Sequence, residues 1–327
     1  MSSDLKSKVT NWDQKIKLMN IGIVGYGPAG IVAGMALKRR GHTITIFERD
    51  ERYDLRQAGD VNRLDRDKTY PIDIGAKGCR AIKYLGIEPF FEKHCNSFKG
   101  TRLLGDGSML GPEEPEGHYG YMGARVELMW ALTEAQETLA PDIKVYYSTK
   151  VESIDPDAKT IHTLCEDKRE SHSFDLIIGT DGAGSLVRRE LQNKGLIECE
   201  EHRGEQYAKS IFVDYPDEKV FTDYITVIPN LAYFTVFGRL KCTGNEKASC
   251  IIISGKDQRK FKSFEEGKAY LKDIDPWFEG KISDEEINNW MQRDYFNLDK
   301  SVKCNQYYYQ DKVVLLGDAA HPFKPIG

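Results

Sequence analysis

Short apolar runs recur along the chain, and the residues just after each run decide what it can become. Ile21–Val24 leads into GYGPAG and then IVAGMALKRR, where Ile31, Val32, Met35, Ala36 and Leu37 recur at helical spacing. This predicts strand, glycine turn, helix. Gly41 can close the helix, and the β-branched run Thr43–Phe47 predicts the next buried strand, completing a βαβ unit. Farther on, Ala81, Ile82 and Leu85 predict a short helix closed by Gly86, and Leu128, Met129, Leu132 and Ala135 share one face of a helix over Arg125–Thr138. Lys144–Ile154 and Thr160–Leu164 read as antiparallel strands, and Phe174–Ile178 as a buried strand entering GTDGAGS. From Tyr207 to Gly255 the pattern is β-rich, followed by helical spacing over Phe264–Ile274 and Asp284–Met291. Lys312–Leu316 is a last short strand, ending at Gly317 and Asp318.

The polar stretches divide these elements. Glu51–Asp67 is crowded with charge and reads as an exposed connector, and Gly105–Gly120, rich in glycine and proline, reads as a loop or wide hairpin turn. The first twenty residues lack the apolar core of a signal peptide and read as a polar extension. No apolar run reaches the roughly 18 residues of a membrane span.

Composition narrows the function classes. The chain has 327 residues, 40% of them hydrophobic, enough for a substantial core. A net charge of −5 offers no general attraction to nucleic acid. Seven cysteines, an odd number with no CxxC pair, argue against a disulfide framework or zinc knuckle, and a cytoplasmic, reducing location is the expectation. No nucleophile–base pair or metal cluster stands out, and His321 reads as a packing or surface residue.

The candidate chemistry lies where the strands end. In the turn after the first strand, Gly25, Gly27 and Gly30, with Pro28 and Ala29 between them, can place backbone N–H groups and a helix N-terminus around a pyrophosphate. Glu48 ends the second strand about 20 residues on, where a carboxylate accepts from a ribose diol. Arg49 beside it is either a contact to the adenosine or an ordinary surface arginine. A nicotinamide dehydrogenase would satisfy this much. Three further segments favour FAD. Arg125 opens a helix in the pattern RxxLxxxL, where its guanidinium can reach a phosphate or ribityl chain. Asp181 and Gly182 follow a buried strand in GTDGAGSLVRR, the acid able to anchor a loop or contact hydroxyls. Gly317 and Asp318 open GDAAHPFKPIG, again after a strand.

In these motifs and their order the chain resembles the class A flavoprotein monooxygenases of the para-hydroxybenzoate hydroxylase type. The resemblance spans nearly the whole chain. Within that family TDGAGSLVRREL, DYITVIPNLAYFTVF and VVLLGDAAHPFKPIG are most similar to the kynurenine 3-monooxygenases. It implies an α/β fold, an FAD-binding Rossmann-like (βαβ) domain with an interleaved β-rich substrate domain. The expected boundaries are 1–19 for the polar extension, 20–75, 119–190 and 304–327 for the FAD domain, and 76–118 and 191–303 for the substrate domain. It also implies that Gly25, Gly27, Gly30 and Glu48 hold the ADP half of FAD, that Val151 meets adenine through its backbone, and that Asp318 binds the ribityl chain. Arg125 and Asp181–Gly182 match the family's other two motifs. The arginine that holds the substrate carboxylate in kynurenine 3-monooxygenases falls near Thr101, flanked by Lys99 and Arg102.

The implied reaction uses NADPH or NADH and O₂ to hydroxylate an aromatic or similar small molecule, with FAD carrying the difficult step. Family members continue from the GD motif into a glycine-rich turn and long helix. The sequence ends at Gly327, so weakened FAD binding is expected unless a partner supplies that helix. The competing expectations are a non-catalytic FAD-binding remnant, or another flavin oxidoreductase such as a halogenase or reductase. The WxWxIP signature of tryptophan halogenases is absent, all four tryptophans being isolated.

Overall fold

The computed structural model describes residues 17–52, 70–104, 107–109, 120–215, 223–229, 234–242, 244 and 246–322. Most of the polar extension, most of the charged connector and most of the 105–120 loop lie outside them. The βαβ unit forms as the pattern predicts: strand Asn20–Val24, helix Pro28–Lys38 and strand Thr43–Phe47, the two strands parallel and in register from Asn20 opposite Thr43 to Val24 opposite Phe47. The helix stops at Lys38, slightly before Gly41, whose φ of +91° carries the chain into the next strand. The six-stranded sheet runs, edge to edge, Tyr308–Tyr309, Val313–Leu315, Leu176–Gly179, Asn20–Val24, Thr43–Phe47 and Lys144–Tyr146. All its pairings are parallel except that of the Tyr308–Tyr309 edge.

Period-two alternation gives this sheet two buried faces. Ile21, Ile23, Ile44 and Ile46 point to one side, against Ile31 and Met35 of the first helix and Leu128, Met129 and Leu132 of helix Arg125–Leu139. Val24, Phe47, Ile177, Val313 and Leu315 point to the other, against Val187 and Leu191 of helix Leu186–Asn193 and Ile154 and Ile161 of a three-stranded meander. The meander comprises Thr149–Asp155, Thr160–Cys165 and Lys168–Ser173. It packs so closely that a Cβ on Gly22 would stand 2.5 Å from the Phe174 ring.

The β-rich half forms a second six-stranded sheet, ordered Phe296–Asn297, Tyr207–Asp214, Lys247–Gly255, Phe234–Arg239, Ile225–Pro229 and Thr101–Leu103. Helices Phe264–Ile274 and Asp284–Gln292 cover one face, burying Tyr270, Leu271 and Trp290 against Ile211, Val213, Cys250 and Ile252. Each helix starts on a serine that accepts from the amide three residues on, Ser263 from Glu266 and Ser283 from Glu286, both at 3.2 Å. A small antiparallel sheet of Pro71–Ile74, Gly120–Ala124 and Asn96–Phe98 stands where the two halves meet.

Within residues 76–118, the first of the two stretches expected to form the substrate domain, Ile82, Leu85, Ile87 and Phe91 pack in the same core as Ile21 and Leu128. A helix, Glu88–His94, follows Ala76–Leu85 there and begins on Glu-Pro, which suits a first helical turn. Strands Lys168–Ser173 and Cys199–Arg203 carry mostly exposed polar residues, so no apolar alternation marks them.

The second sheet is tied to its helices by a buried ion pair. Glu286 and Arg293 are 6% and 7% exposed, and their forked contacts are 2.7 and 3.0 Å. Glu286 also accepts from the Phe212 amide at 2.9 Å, and Arg293 donates to the Ser210 carbonyl at 2.8 Å. Removing one partner strands a buried charge. Glu286→Ala is therefore expected to lower unfolding free energy by about 3–5 kcal/mol, read by urea denaturation; a loss near that of a surface substitution would show that the pair is dispensable.

Candidate functional site

Five parallel strands of the first sheet deliver their carboxyl ends to one edge, and the chain order reverses there. From Asn20–Val24 the sheet continues to Thr43–Phe47 on one side and to Leu176–Gly179 on the other. Such a switch point leaves a crevice beyond the strand ends. The segments entering it are the Gly25–Gly30 turn, Glu48, Thr180–Gly182 and Gly317–Asp318.

Sterics explain the glycines. Gly25 has φ +102°, and a Cβ there would lie 2.6 Å from the Thr180 carbonyl oxygen. A Cβ on Gly30 would lie 2.1 Å from the Gly25 carbonyl oxygen. Gly27 is different: no heavy atom lies within 4 Å of its would-be Cβ, so its surface opens outward at the helix N-terminus. Pro28 and Ala29 begin that helix, whose first N–H groups have no partner within it. Thr180 locks the turn to the neighbouring loop, its hydroxyl 2.9 Å from the carbonyl oxygens of both Val24 and Gly25.

Glu48 accepts from the amides of Tyr26 at 2.8 Å and Asp50 at 2.9 Å, one to each oxygen. An ionised carboxylate has about four acceptor sites, so these bonds orient it while leaving capacity for hydroxyls. Strand Thr149–Asp155 starts beside it, Thr149 N donating to Glu48 O at 2.8 Å. Val151 sits at a bulge: it pairs with Thr163, Ser153 pairs with His162, and Glu152 is the extra residue. The Val151 side chain is buried, leaving its backbone as the part that can meet a ligand. Arg49 is exposed and stands 3.8 Å from Asp50, in keeping with a surface arginine.

Asp181 is bound to the helix that follows it. It accepts from Ser185 Oγ at 2.5 Å and from the amides of Leu186 and Val187 at 2.6 and 3.1 Å, anchoring helix Leu186–Asn193. Gly182, with φ +79°, makes the bend that permits this. Gly317 has φ +59°, and a Cβ there would approach Ala29 Cβ to 2.8 Å, so the two glycine turns touch. Asp318 is exposed on one side, but enough protein surrounds it for desolvation to raise its pKa, opposed by His321. Arg125 opens its helix, its amide donating to Tyr70 O at 2.9 Å.

Two buried charged residues that sequence reasoning passed over hold these parts in place. Arg188, fully buried, donates to the carbonyls of Ala183 at 2.6 Å and Ala319 at 2.7 Å and contacts Glu201 at 3.2 Å. It joins the loop after Asp181 to the segment after Asp318. Glu127, also fully buried, accepts from Ala124 N at 2.9 Å and Cys242 N at 2.6 Å. It connects the start of the Arg125 helix to the second sheet. Both lie inside motifs quoted above, Arg188 in GTDGAGSLVRR and Glu127 in the RxxLxxxL pattern that begins at Arg125, but an amphipathic helix pattern places such residues on a solvated face.

Of the residues flanking position 101, Lys99 pairs with Asp223 at 3.0 Å and Arg102 lies over the Tyr224 ring at 4.1 Å. A cavity of about 620 Å³ is lined by Cys79, Tyr121, Arg239 and Lys241, among others, and shares no residue with the strand-end crevice.

Two outcomes are expected from this geometry. Gly30→Ala should cost about 1–3 kcal/mol through overpacking, measured by thermal or urea unfolding; wild-type stability would mean the turn has slack. Burial raises Glu127 to about 7, against the ordinary carboxylate value, despite its two amide donors. The folded chain then binds more protons than the unfolded chain between about pH 4.5 and 7. Stability from this group falls as pH rises through that window and levels above it. Glu127→Gln should remove this slope when urea midpoints are compared from pH 5 to 8, and an unchanged difference between the proteins across the range would contradict the assignment.

Comparisons with known proteins bear on the family and the fold. Residues 83–327 match the family model described as FAD binding domain. Among curated relatives, kynurenine 3-monooxygenase of Legionella pneumophila (strain Corby) is 26% identical over 322 residues, covering 94% of this chain and 68% of that protein. The kynurenine 3-monooxygenase of Christiangramia forsetii is 23% identical over 327 residues, with the same coverage of each chain. Among solved structures, the tetrameric form of 2-methyl-3-hydroxypyridine-5-carboxylic acid oxygenase superposes with TM-score 0.70 at 18% identity, covering 94% of this chain and 76% of that one. That structure supports the fold: α/β, with a Rossmann-like domain and a β-rich partner. With a matching family model over residues 83–327 and its own paired glycine turns, this chain belongs to the FAD binding domain family.

Proposed function

We propose that the protein is an FAD-dependent monooxygenase that uses NADPH or NADH and O₂ to hydroxylate an aromatic or similar small molecule, in the manner of kynurenine 3-monooxygenases. The observation that carries this reading is the convergence of two glycine turns, Gly25–Gly30 and Gly317, on one strand-end crevice with Glu48 and Asp318 at its rim. Bound FAD would supply the redox and oxygen-transfer chemistry that no side chain provides.

The roles of the chain's own groups follow from their geometry. The open face of Gly27 and the amides after Pro28 would take the pyrophosphate, helped by the helix dipole. Glu48, oriented by the Tyr26 and Asp50 amides, would accept from the ribose diol, with the backbone at Val151 beside the adenine. Asp318 would accept from ribityl hydroxyls, and Arg125 would reach a phosphate or the ribityl chain. Asp181, Gly182 and Arg188 would act on the site through the loops they hold. The substrate ring would lie against the β-rich half. Among the described residues, no helix is long and apolar enough to cross a membrane.

Gly27→Ala separates cofactor binding from folding. Its Cβ meets no protein atom, so unfolding should change by no more than about 1 kcal/mol, while FAD affinity should fall at least about tenfold as the methyl blocks the phosphate's approach. Flavin absorbance after gel filtration and a fluorescence titration with FAD read this. An unimpaired variant would remove the phosphate from this turn. NAD(P)H oxidation by the FAD-loaded protein should rise when its aromatic substrate is added and yield hydroxylated product by mass spectrometry; oxidation indifferent to every aromatic tried would favour a simple oxidase.

A further inference from the structure

Strands Cys199–Arg203 and Lys300–Cys304 pair antiparallel, with Cys199 directly opposite Cys304. Their Sγ atoms are 2.9 Å apart, and both are free thiols. Opposed positions in such a ladder hold Cα atoms about 4.5–5.5 Å apart, within the span of a disulfide, so the backbone need not move for the sulfurs to join. Cys199 is half-buried and Cys304 is buried, which gives a reagent one route in, through Cys199.

The position of the pair matters as much as its geometry. Cys304 Sγ lies 3.6 Å from the Ala320 carbonyl oxygen, and Val302 N donates to Pro322 O at 3.0 Å. Glu201, in the same ladder, meets Arg188 at 3.2 Å and Lys300 at 3.6 Å, and Arg188 holds the Ala319 carbonyl at 2.7 Å. The ladder is thus the support beneath the segment that begins at Gly317 and Asp318.

We propose that Cys199 and Cys304 are an oxidative modification site, closing to an intrachain disulfide with a peroxide-class oxidant and so locking the ladder beneath the Gly317–Asp318 turn. Cys199 sulfur attacks one peroxide oxygen, the O–O bond breaks, and hydroxide leaves and is protonated to water, giving a sulfenic acid. Cys304 sulfur then attacks that sulfur, the S–S bond forms, and a second water departs. In sum two thiols and one hydrogen peroxide give one disulfide and two waters, the sulfur pair losing two electrons and the peroxide gaining them. Burial first, then the neighbouring Cys304, raises the Cys199 thiol to about 12, so the thiolate is scarce at neutral pH. Closure is slow there and accelerates by up to about tenfold per pH unit.

The test treats the FAD-loaded chain with hydrogen peroxide, then counts thiols and maps peptides without reduction. Two of the seven thiols should disappear together, one cross-linked species should join the peptides of Cys199 and Cys304, and dithiothreitol should restore both. Cys199→Ser and Cys304→Ser should each abolish the cross-link, while Cys165→Ser leaves it intact. Oxidised wild type should release FAD more slowly than reduced wild type, and Cys199→Ser should show no such difference. A folded chain that forms no 199–304 cross-link, or that carries Cys199 to sulfinic acid instead, overturns the site. Cross-linking without any change in FAD release overturns the locking role. Because peptide mapping reads the cross-link without FAD, failure of the chain to hold FAD would count against the proposed function and leave the thiol result standing.

Discussion

Everything at the strand-end crevice depends on how closely two loops approach each other. The Thr180 hydroxyl reaches the carbonyls of Val24 and Gly25, and the Thr180 carbonyl stands where a side chain on Gly25 would have to be. This contact is possible only because Gly25 takes a left-handed φ and Gly30 presents no Cβ to the Gly25 carbonyl. Once the loops are that close, the first helix begins immediately after Gly27. The open surface at Gly27 is a consequence of the crowding at Gly25 and Gly30. The same restriction reappears at Gly317 against Ala29, so the second glycine turn is placed by the first.

Charge does a different task in this molecule from the one its surface suggests. Arg188, Glu127 and the Glu286–Arg293 pair are all buried, and each has a backbone amide or carbonyl from a distant segment among its partners. A buried ion is tolerable only when its hydrogen-bonding capacity is met. For Arg188 and Glu127 those backbone groups belong to loops and element ends, at Ala183, Ala319, Ala124 and Cys242, whereas Glu286 and Arg293 reach Phe212 and Ser210 within strand Tyr207–Asp214. The first two join the segments around Gly317 and Arg125, and the pair joins a helix to the second sheet. Mutual need makes the junctions specific: the loop requires the charge to satisfy its carbonyls, and the charge requires the loop.

The sequence disclosed the parts of the fold that rest on apolar periodicity. Ile21–Val24, the helix after it and Thr43–Phe47 could be read because each buries a face in one dominant core, and the glycine spacing was legible because only glycine fits those contacts. Glu48 was legible from its distance along a βαβ unit. Arg188 and Glu127 were not, since a charged residue on a helix ordinarily faces water and only tertiary packing reverses that. The Cys199–Arg203 ladder was hidden for a related reason: its residues are mostly exposed, so its pairing leaves no alternation to detect. Ile82, Leu85 and Phe91 join the core that also holds Ile21 and Leu128, a long-range packing that their local spacing does not announce.

The two aspartates that looked equivalent in sequence show why a motif and a contact are different claims. Both come after a buried strand, and both stand beside a glycine of positive φ, Gly182 and Gly317. Asp181 spends its oxygens on a hydroxyl and two amides of the helix it precedes, which leaves little capacity for a ligand. Asp318 lies within a single short turn, Gly317–Ala319, and one side of it stays exposed. The setting of each acid makes the difference: a helix N-terminus supplies amides to the carboxylate before it, whereas a brief turn among the described residues holds its acid less closely. An acid already committed to a helix fixes the loop before that helix, and the one in the brief turn keeps an exposed side.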